Sequence, residues 1–167
     1  MKKLHAYLLL IITLALASCQ VNYSFTGGQF SGSESFQVNF IRPQTALASQ
    51  VYAQKLTEGL KDYLLAQSPL RLVTTSGDLQ YEGTITEYNV APIAARGNET
   101  ASLTRLTVTV KIKYSNLLEK ELGFEKTFTK YADFPAGQDF FSVQEELWES
   151  INDQLIQEIF NASVGNW

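Results

Sequence analysis

The chain is organised around residues 105–114, which read RLTVTVKIKY and alternate apolar with polar residues without interruption. A period of two is typical of a β-strand with one face in the core and the other in solvent or against a partner. We therefore expect an aspartate to be tolerated at Thr109 and not at Val110. The polar face carries threonine and basic residues: Arg105, Thr107, Thr109, Lys111 and Lys113.

Four further segments outside this stretch have the pattern of strands. Phe36, Val38 and Phe40 alternate with polar residues, and Pro43 ends that strand because proline lacks a backbone donor. The other three segments are residues 70–73, 79–90 and 124–131. In the longest of them the alternation changes phase at Glu87-Tyr88, which predicts a β-bulge.

Two segments have helical periodicity. Thr45 is a candidate N-cap for a helix that runs to about Gln67, and Ser142 with Glu145 fits a capping box for a second helix that ends near Asn161. Apolar stripes follow each helix at a spacing of three to four residues, which predicts that one face of each packs on the core. The stripes are Tyr52, Leu56, Leu60 and Tyr63 in the first helix and Val143, Leu147, Ile151, Leu155 and Ile159 in the second.

The order strand, helix, strands, helix predicts the α+β class. We expect a two-layer sandwich in which a mostly antiparallel or mixed sheet of four to five strands carries two helices packed on one face. The first helix can connect parallel neighbouring strands through a right-handed crossover. Residues 35–167 are long enough for a single domain of this kind.

The N-terminal segment is predicted to be a lipoprotein signal peptide. Lys2 and Lys3 precede an apolar stretch, residues 4–17, which is too short to span a bilayer comfortably. Leu16-Ala17-Ser18-Cys19 resembles the lipobox of bacterial lipoproteins, in which the cysteine is acylated. We therefore expect residues 1–18 to be removed, Cys19 to be lipidated, and residues 19–34 to form a flexible tether rich in glycine and serine. An ordinary signal peptide followed by an incidental cysteine is the alternative.

The composition excludes several classes of function. The 167 residues include one histidine, His5, and one cysteine, so neither a histidine-based catalytic site nor a cysteine-based metal site is expected. The sequence pI near 5.0 argues against nucleic-acid binding. The densest carboxylates, Glu145-Glu146 and Glu58 with Asp62, fall on predicted exposed helix faces. We therefore expect no enzyme, no cofactor and no metal.

The basic residues remain as the candidates for binding. Arg105, Lys111 and Lys113 lie on one strand, Arg96 lies in the preceding loop, and Lys130 lies on the next strand, where it shares a face with Lys126. They can serve solubility and protection of the sheet edge. They can also form a site for an anionic lipid head group, because lysine and arginine offer charge and donors to phosphate.

The mature chain resembles the lipopolysaccharide-assembly lipoprotein family LptE in its Bacteroidetes form. The resemblance rests on the lipobox, the order of elements, and six stretches: Tyr23–Gly27, Gly77–Gly83, Gly97–Ala101, Arg105–Lys111, Tyr131–Phe134 and Asn166-Trp167. It implies an outer-membrane lipoprotein that plugs and helps assemble the LptD β-barrel. It also implies assistance in passing lipopolysaccharide or lipooligosaccharide to the outer leaflet.

The resemblance further implies where the protein and its ligand sit. The acyl chains would lie in the inner leaflet of the outer membrane. Gln20 stands where an aspartate would retain many Gram-negative lipoproteins in the inner membrane, so the outer membrane is favoured. No acidic run resembling a surface-export signal follows Cys19, so we expect the periplasmic face. The candidates for lipopolysaccharide binding are Arg96, Arg105, Lys111, Lys113 and Lys130. Two alternatives stay open: a stand-alone periplasmic lipid carrier, and a hydrolase with a buried carboxylate pair.

Overall fold

The computed structural model describes residue 30, residues 32–93 and residues 102–165. The predicted signal peptide (residues 1–18), Cys19, most of the tether and Arg96 lie outside the described residues. Three of the stretches that carry the resemblance also lie outside: Tyr23–Gly27, Gly97–Ala101 and Asn166-Trp167.

Within the described residues the predicted α+β class is confirmed. The elements are β1 (Ser35–Val38), β2 (Arg42–Pro43), α1 (Gln50–Gln67), β3 (Arg71–Leu72), β4 (Leu79–Ile93), β5 (Leu103–Asn116), β6 (Phe124–Pro135) and α2 (Phe140–Ser163). A short 3₁₀ turn, Lys120–Leu122, lies between β5 and β6. The sheet has one strand more than the four to five predicted, because the chain pairs again at β2 after leaving β1.

The sheet is mixed, with strand order β3-β1-β4-β5-β6. β1 runs parallel to both β3 and β4, and β2 also pairs in parallel with β4. Strands β4, β5 and β6 form an antiparallel meander. The predicted parallel relation between the strands that α1 connects is therefore confirmed.

A β-bulge lies in β4 close to the predicted position. The register with β5 shifts between Ile85, opposite Val110, and Glu87, opposite Thr109, so Thr86 is the extra residue. The prediction placed the bulge at Glu87-Tyr88. The extra residue changes which side chains face inward, and Tyr88 is buried opposite Val108 as a result.

Both helices pack on the same face of the sheet, as predicted. One buried cluster joins the sheet to the two apolar stripes, and its centre excludes water completely. The side chains with no exposed surface include Phe36, Tyr52, Leu56, Leu60, Ile85, Val110, Ile151 and Leu155. Burial of this apolar surface is the main driving force for the fold.

The predicted N-caps of both helices were wrong by about one turn. Backbone pairing continues as far as Gln44, which donates to the carbonyl of Ile85 at 2.9 Å, so the chain cannot enter the helix at Thr45. Ser49 is the N-cap instead, and its side chain accepts from the amide of Tyr52. The N-cap of the second helix also lies earlier in the chain than the predicted Ser142.

The N-cap of α2 is Asp139. Its carboxylate accepts from the backbone amide of Ser142 at 3.1 Å, and the hydroxyl of Ser142 donates to the Asp139 carbonyl at 2.7 Å. Ser142 therefore lies inside the helix rather than at its cap. An aspartate at this position also suits the positive end of the helix dipole.

Candidate functional site

The sheet surface turned away from the helices is called the open face here, and it contains the predicted polar face of β5. β4 and β6 pair with β5, and β2 pairs with β4. Side chains of all three strands therefore lie on the same surface as the polar face of β5. The charged members of the open face on β2, β4, β5 and β6 are Arg42, Arg105, Lys111, Lys113, Glu82, Glu87, Glu125 and Asp133. The four cations are matched by four carboxylates, so the open face is mixed in charge rather than basic.

The lysines of β5 are paired with acids from the neighbouring strands. Lys111 forms an ion pair with Glu125, and the hydrogen bond from that lysine lowers the pKa of the Glu125 carboxyl. Lys113 lies 4.0 Å from the carboxylate of Glu82, a loose contact by comparison. The pattern of β5 alone could not show this compensation, because the acids come from strands distant in sequence.

Arg105 is held in place by two neighbours. Its guanidinium donates to both carboxylate oxygens of Asp133, at 2.7 and 2.8 Å, and lies 3.5 Å from the ring centre of Tyr131. The hydrogen bond to Asp133 raises the pKa of Arg105, and the same contact lowers the pKa of Asp133. A phosphate at Arg105 would have to compete with this bidentate partner.

Thr109, at the centre of the open face, is shielded from water, contrary to the expectation of a solvated side chain. Thr109 is only 8% exposed. Its hydroxyl donates to Glu87 at 3.0 Å and lies 3.0 Å from the hydroxyl of Thr129, which can donate to it in turn. The carboxylate and two hydroxyls thus form a small hydrogen-bonded network across three strands.

Lys130 lies on the other side of the sheet from Arg105, Lys111 and Lys113. It faces α2, where its ammonium group lies 2.8 Å from the carboxylate of Glu158. Lys126 lies 4.0 Å from the same carboxylate. The structure therefore divides the predicted binding residues into two groups, and Arg96 lies outside the described part of the chain.

An open depression of about 490 Å³ lies at the β2 side of the open face. It brings together Lys111 and Lys113 with Arg42 and the half-exposed ring of Phe40. Its lining is completed by Asn39, Glu82, Gly83, Thr84 and Glu125. This mixture of cations, polar groups and one aromatic ring can bind an anionic group that carries apolar or sugar portions.

Sequence reasoning missed Arg42. Pro43 was interpreted as the end of the first strand, so the preceding arginine was not placed on the sheet. In the structure Arg42 pairs in register with Thr84, whose other neighbour is Lys111. Among the described residues no carboxylate lies within 4.0 Å of the Arg42 guanidinium, in contrast to the arginine and two lysines of β5.

The described residues contain no cluster of three or more acidic, histidine or cysteine side chains placed to hold a metal. The carboxylates that the sequence offered for catalysis, Glu145-Glu146 and Glu58 with Asp62, lie on exposed helix surfaces as predicted. No helix in this part of the chain combines the length and apolar character needed to cross a membrane.

A comparison with protein families finds one match. The profile of LptE, described as lipopolysaccharide-assembly, matches residues 33–163. The match spans every strand and helix described above. The narrower resemblance to the Bacteroidetes form stays a prediction. A comparison with curated proteins gives no match.

Solved structures share the fold at low sequence identity. A minor lipoprotein from Acinetobacter baumannii has a TM-score of 0.51 and 16% identity, with 77% of this chain and 91% of that chain covered. A protein from Xanthomonas campestris has a TM-score of 0.57 and 11% identity, with 77% and 82% covered. A hypothetical protein from Chlamydia trachomatis has a TM-score of 0.55 and 6% identity, with 81% and 100% covered.

Proposed function

The chain belongs to the lipopolysaccharide-assembly family LptE, and we propose that it acts as a lipid-anchored, non-enzymatic component of lipopolysaccharide assembly at the outer membrane. It plugs and helps assemble an LptD-like β-barrel and assists the passage of lipopolysaccharide or lipooligosaccharide to the outer leaflet. The observation that carries this proposal is the family match over residues 33–163.

The proposal places the protein at the periplasmic face of the outer membrane. Acyl chains on Cys19 hold it in the inner leaflet, since two or more lipid signals give stable attachment whereas one gives only marginal binding. The lipobox Leu16-Ala17-Ser18-Cys19 supports this anchor. The similarity in fold to a minor lipoprotein is consistent with it.

Within this function we propose the depression beside β2 as the lipopolysaccharide contact. Lys111 and Lys113, two of the predicted binding residues, line it together with Arg42. Arg42 has no acidic partner among the described residues, and Lys113 has only a loose one. These two cations are therefore the most available on the open face for a phosphate group. Arg105 and Lys130 are already engaged and contribute less.

A stand-alone lipid carrier is supported less well. Such a protein needs space for acyl chains, and the natural place in this fold is between the sheet and the helices. That space is filled by side chains with no exposed surface, among them Leu56, Leu60 and Val110. Interiors packed in this way leave little room for a lipid chain without rearrangement.

The barrel partnership is tested by purification of the affinity-tagged full chain from outer membranes. We expect a large β-barrel in near-equal amount, resistant to a high-salt wash. Recovery of the lipoprotein alone, from membranes in which the barrel is present, would contradict the plug function and favour the carrier.

The ligand contact is tested with variants of the tagged full chain that replace Arg42, Lys111 and Lys113 by glutamine. A charge-assisted hydrogen bond contributes about 1.5–3 kcal/mol, so we expect the triple variant to bind purified lipopolysaccharide at least tenfold more weakly. Lys55→Gln with Lys126→Gln is the matched control, because both are exposed cations on the side of the sheet that carries the helices. Equal affinity in the two variants would exclude the depression as the contact.

A further inference from the structure

The turn between β5 and β6 carries three exposed leucines at one end of the sheet. Leu117, Leu118 and Leu122 are 46%, 55% and 42% exposed. Connecting turns usually place polar residues in water, and neighbouring exposed apolar side chains mark a contact with another molecule or a membrane. These three residues are called the leucine tip here.

The turn is built so that the leucine tip stays outside the core. The side-chain oxygen of Asn116, which is 3% exposed, accepts from the amides of Leu118 and Glu119, both at 2.9 Å. The amide of Leu122 donates to the Glu119 carbonyl at 3.0 Å. A buried side chain and a closed backbone turn therefore fix the leucines in their exposed positions.

Asp78 links the leucine tip to the start of the folded domain. The carbonyl of Asp78 accepts from the amide of Leu117 at 2.8 Å. Its carboxylate accepts from the amides of Glu34 and Ser35, both at 3.0 Å. The tip and the point where the N-terminal segment enters the domain thus lie side by side.

The proposed anchor at Cys19 determines which end of the sheet lies toward the bilayer. Twelve residues lie between Cys19 and Gly32, and a fully extended chain joining these two residues spans at most about 45 Å. An acylated Cys19 therefore keeps the entry point within about 45 Å of the bilayer. The end of the sheet that carries the leucine tip is the end that the anchor draws toward the lipid.

We propose that the leucine tip inserts into the phospholipid surface in which Cys19 is anchored, as a second and weaker contact that orients the domain. The inference rests on the lipid anchor of the proposed function. Lys120 is flanked by Glu119 and Glu121, so the tip has no basic patch to attract anionic lipid. The contact is apolar, and the anchor makes a weak contact sufficient by raising its effective concentration.

The experiment uses the full acylated chain in phosphatidylcholine vesicles that contain lipids brominated on their chains. Leu118→Cys provides a unique site for an environment-sensitive fluorophore, because the native chain has a single cysteine and its thiol is blocked by acylation. We expect the bromolipids to quench this fluorophore. Gln138→Cys is the control, exposed in the turn after β6 at the opposite end of the sheet, and should not be quenched.

A second variant replaces Leu117, Leu118 and Leu122 by serine, with the fluorophore attached through Lys120→Cys. The melting temperature should hardly change, because these side chains are already about half exposed. Quenching should fall at least tenfold relative to the same label on the native tip, given the free energy of transferring leucine from water to lipid. Addition of phosphatidylglycerol should not increase quenching in the native tip.

Three results would overturn the inference. The first is an unquenched label at position 118 in a chain whose mass shows the acyl groups. The second is quenching that requires phosphatidylglycerol. The third is an unquenched label combined with loss of a co-purifying barrel in the serine variant, which would make the tip a protein contact. A mass without acyl groups overturns the anchor as well, and so separates the two failures.

Discussion

Thr109 lies at the centre of the open face, where the alternation of β5 predicts a solvent-exposed side chain. Its burial has a local cause, because Glu87 from β4 and Thr129 from β6 both hydrogen bond to its hydroxyl. The β-bulge at Thr86 sets the register that brings Glu87 opposite Thr109. Thr109, which the alternation of β5 predicts to tolerate substitution, is therefore part of a hydrogen-bonded network.

We expect Thr109→Asp to destabilise the protein by about 2–4 kcal/mol, because it places a second carboxylate beside Glu87 with little access to water. Thr107→Asp, two residues away on the same face and less buried, should cost less than about 1 kcal/mol. Val110→Asp on the core side should be the most severe of the three. Urea unfolding of the three variants checks this order.

The sequence-based expectation was that Thr109→Asp would be mild. Equal stability of the variants at positions 107 and 109 would restore that expectation and would contradict the network. Thr109→Val provides a control for size, since it removes the hydroxyl without adding a charge. Its cost should be about 1 kcal/mol, the usual contribution of a hydrogen bond.

Asp78 ties the start of β1 to the start of β4. Its carboxylate accepts from the backbone of Glu34 and Ser35 and from the Ser35 hydroxyl, which is 2.8 Å away. These hydrogen bonds lower the pKa of Asp78 below its usual value, and the one from the Glu34 backbone has the largest effect. The folded state therefore binds a proton here less readily than the unfolded state does.

This shift fixes the sign of a pH effect. The contribution of Asp78 to stability is fully present above the unfolded pKa of about 3.9 and is lost as the pH falls through the lowered folded-state pKa. We expect Asp78→Asn to be less stable than the native chain at neutral pH and the difference to shrink below about pH 4. Asp62→Asn, an exposed change on α1, is the control for general acid effects.

Urea unfolding between neutral and acidic pH measures this difference. A gap between native chain and Asp78→Asn that stays constant over the whole range would contradict the role of the charged carboxylate. Faster hydrogen exchange at the amide of Ser35 in the variant would independently report the loss of its acceptor.

The contact between β6 and α2 makes Lys130 a structural residue as well as a candidate for binding. Lys130→Glu should lower stability by about 1 kcal/mol through repulsion from Glu158, and the combined exchange with Glu158→Lys should recover most of it. Thermal unfolding of the single and double variants checks this prediction. A double variant as unstable as the single one would show that the ion pair contributes nothing.

Most of the fold could be predicted from sequence, because strands and helices with one buried face repeat their apolar residues at a fixed period. The apolar faces of β5, α1 and α2 follow from that rule. The N-caps Ser49 and Asp139 could not be predicted in this way, because their positions depend on where backbone pairing between strands stops. The pattern of apolar residues in one segment does not show where that pairing ends.

The candidate site was predictable only in part for a different reason. Lys111 and Lys113 follow from the alternation of β5, but their partners Glu125 and Glu82 come from other strands. The charge of a sheet face depends on the registry of all its strands, and registry is a property of the assembled sheet. Arg42 was missed because its two-residue strand is too short to show a period.

The two faces of the sheet have different surroundings in the whole protein. One face carries the core and both helices, and the other carries the depression with Arg42, Lys111 and Lys113. The leucine tip and the entry of the N-terminal segment share one end. An anchored domain with this arrangement would have a defined end toward the lipid and a polar sheet surface beside a partner.

The lipid anchor at Cys19 can be tested directly. Cys19→Ser should leave the chain uncleaved or without its lipid anchor, because three leucines give far weaker membrane binding than multiple acyl chains do. A barrel can retain its plug through protein contacts, so the variant should be fractionated both with the barrel present and after its depletion. We expect retention in the first case and release in the second. Retention of the variant in depleted cells, with the signal peptide removed, would show that attachment needs neither the acyl chains nor the barrel.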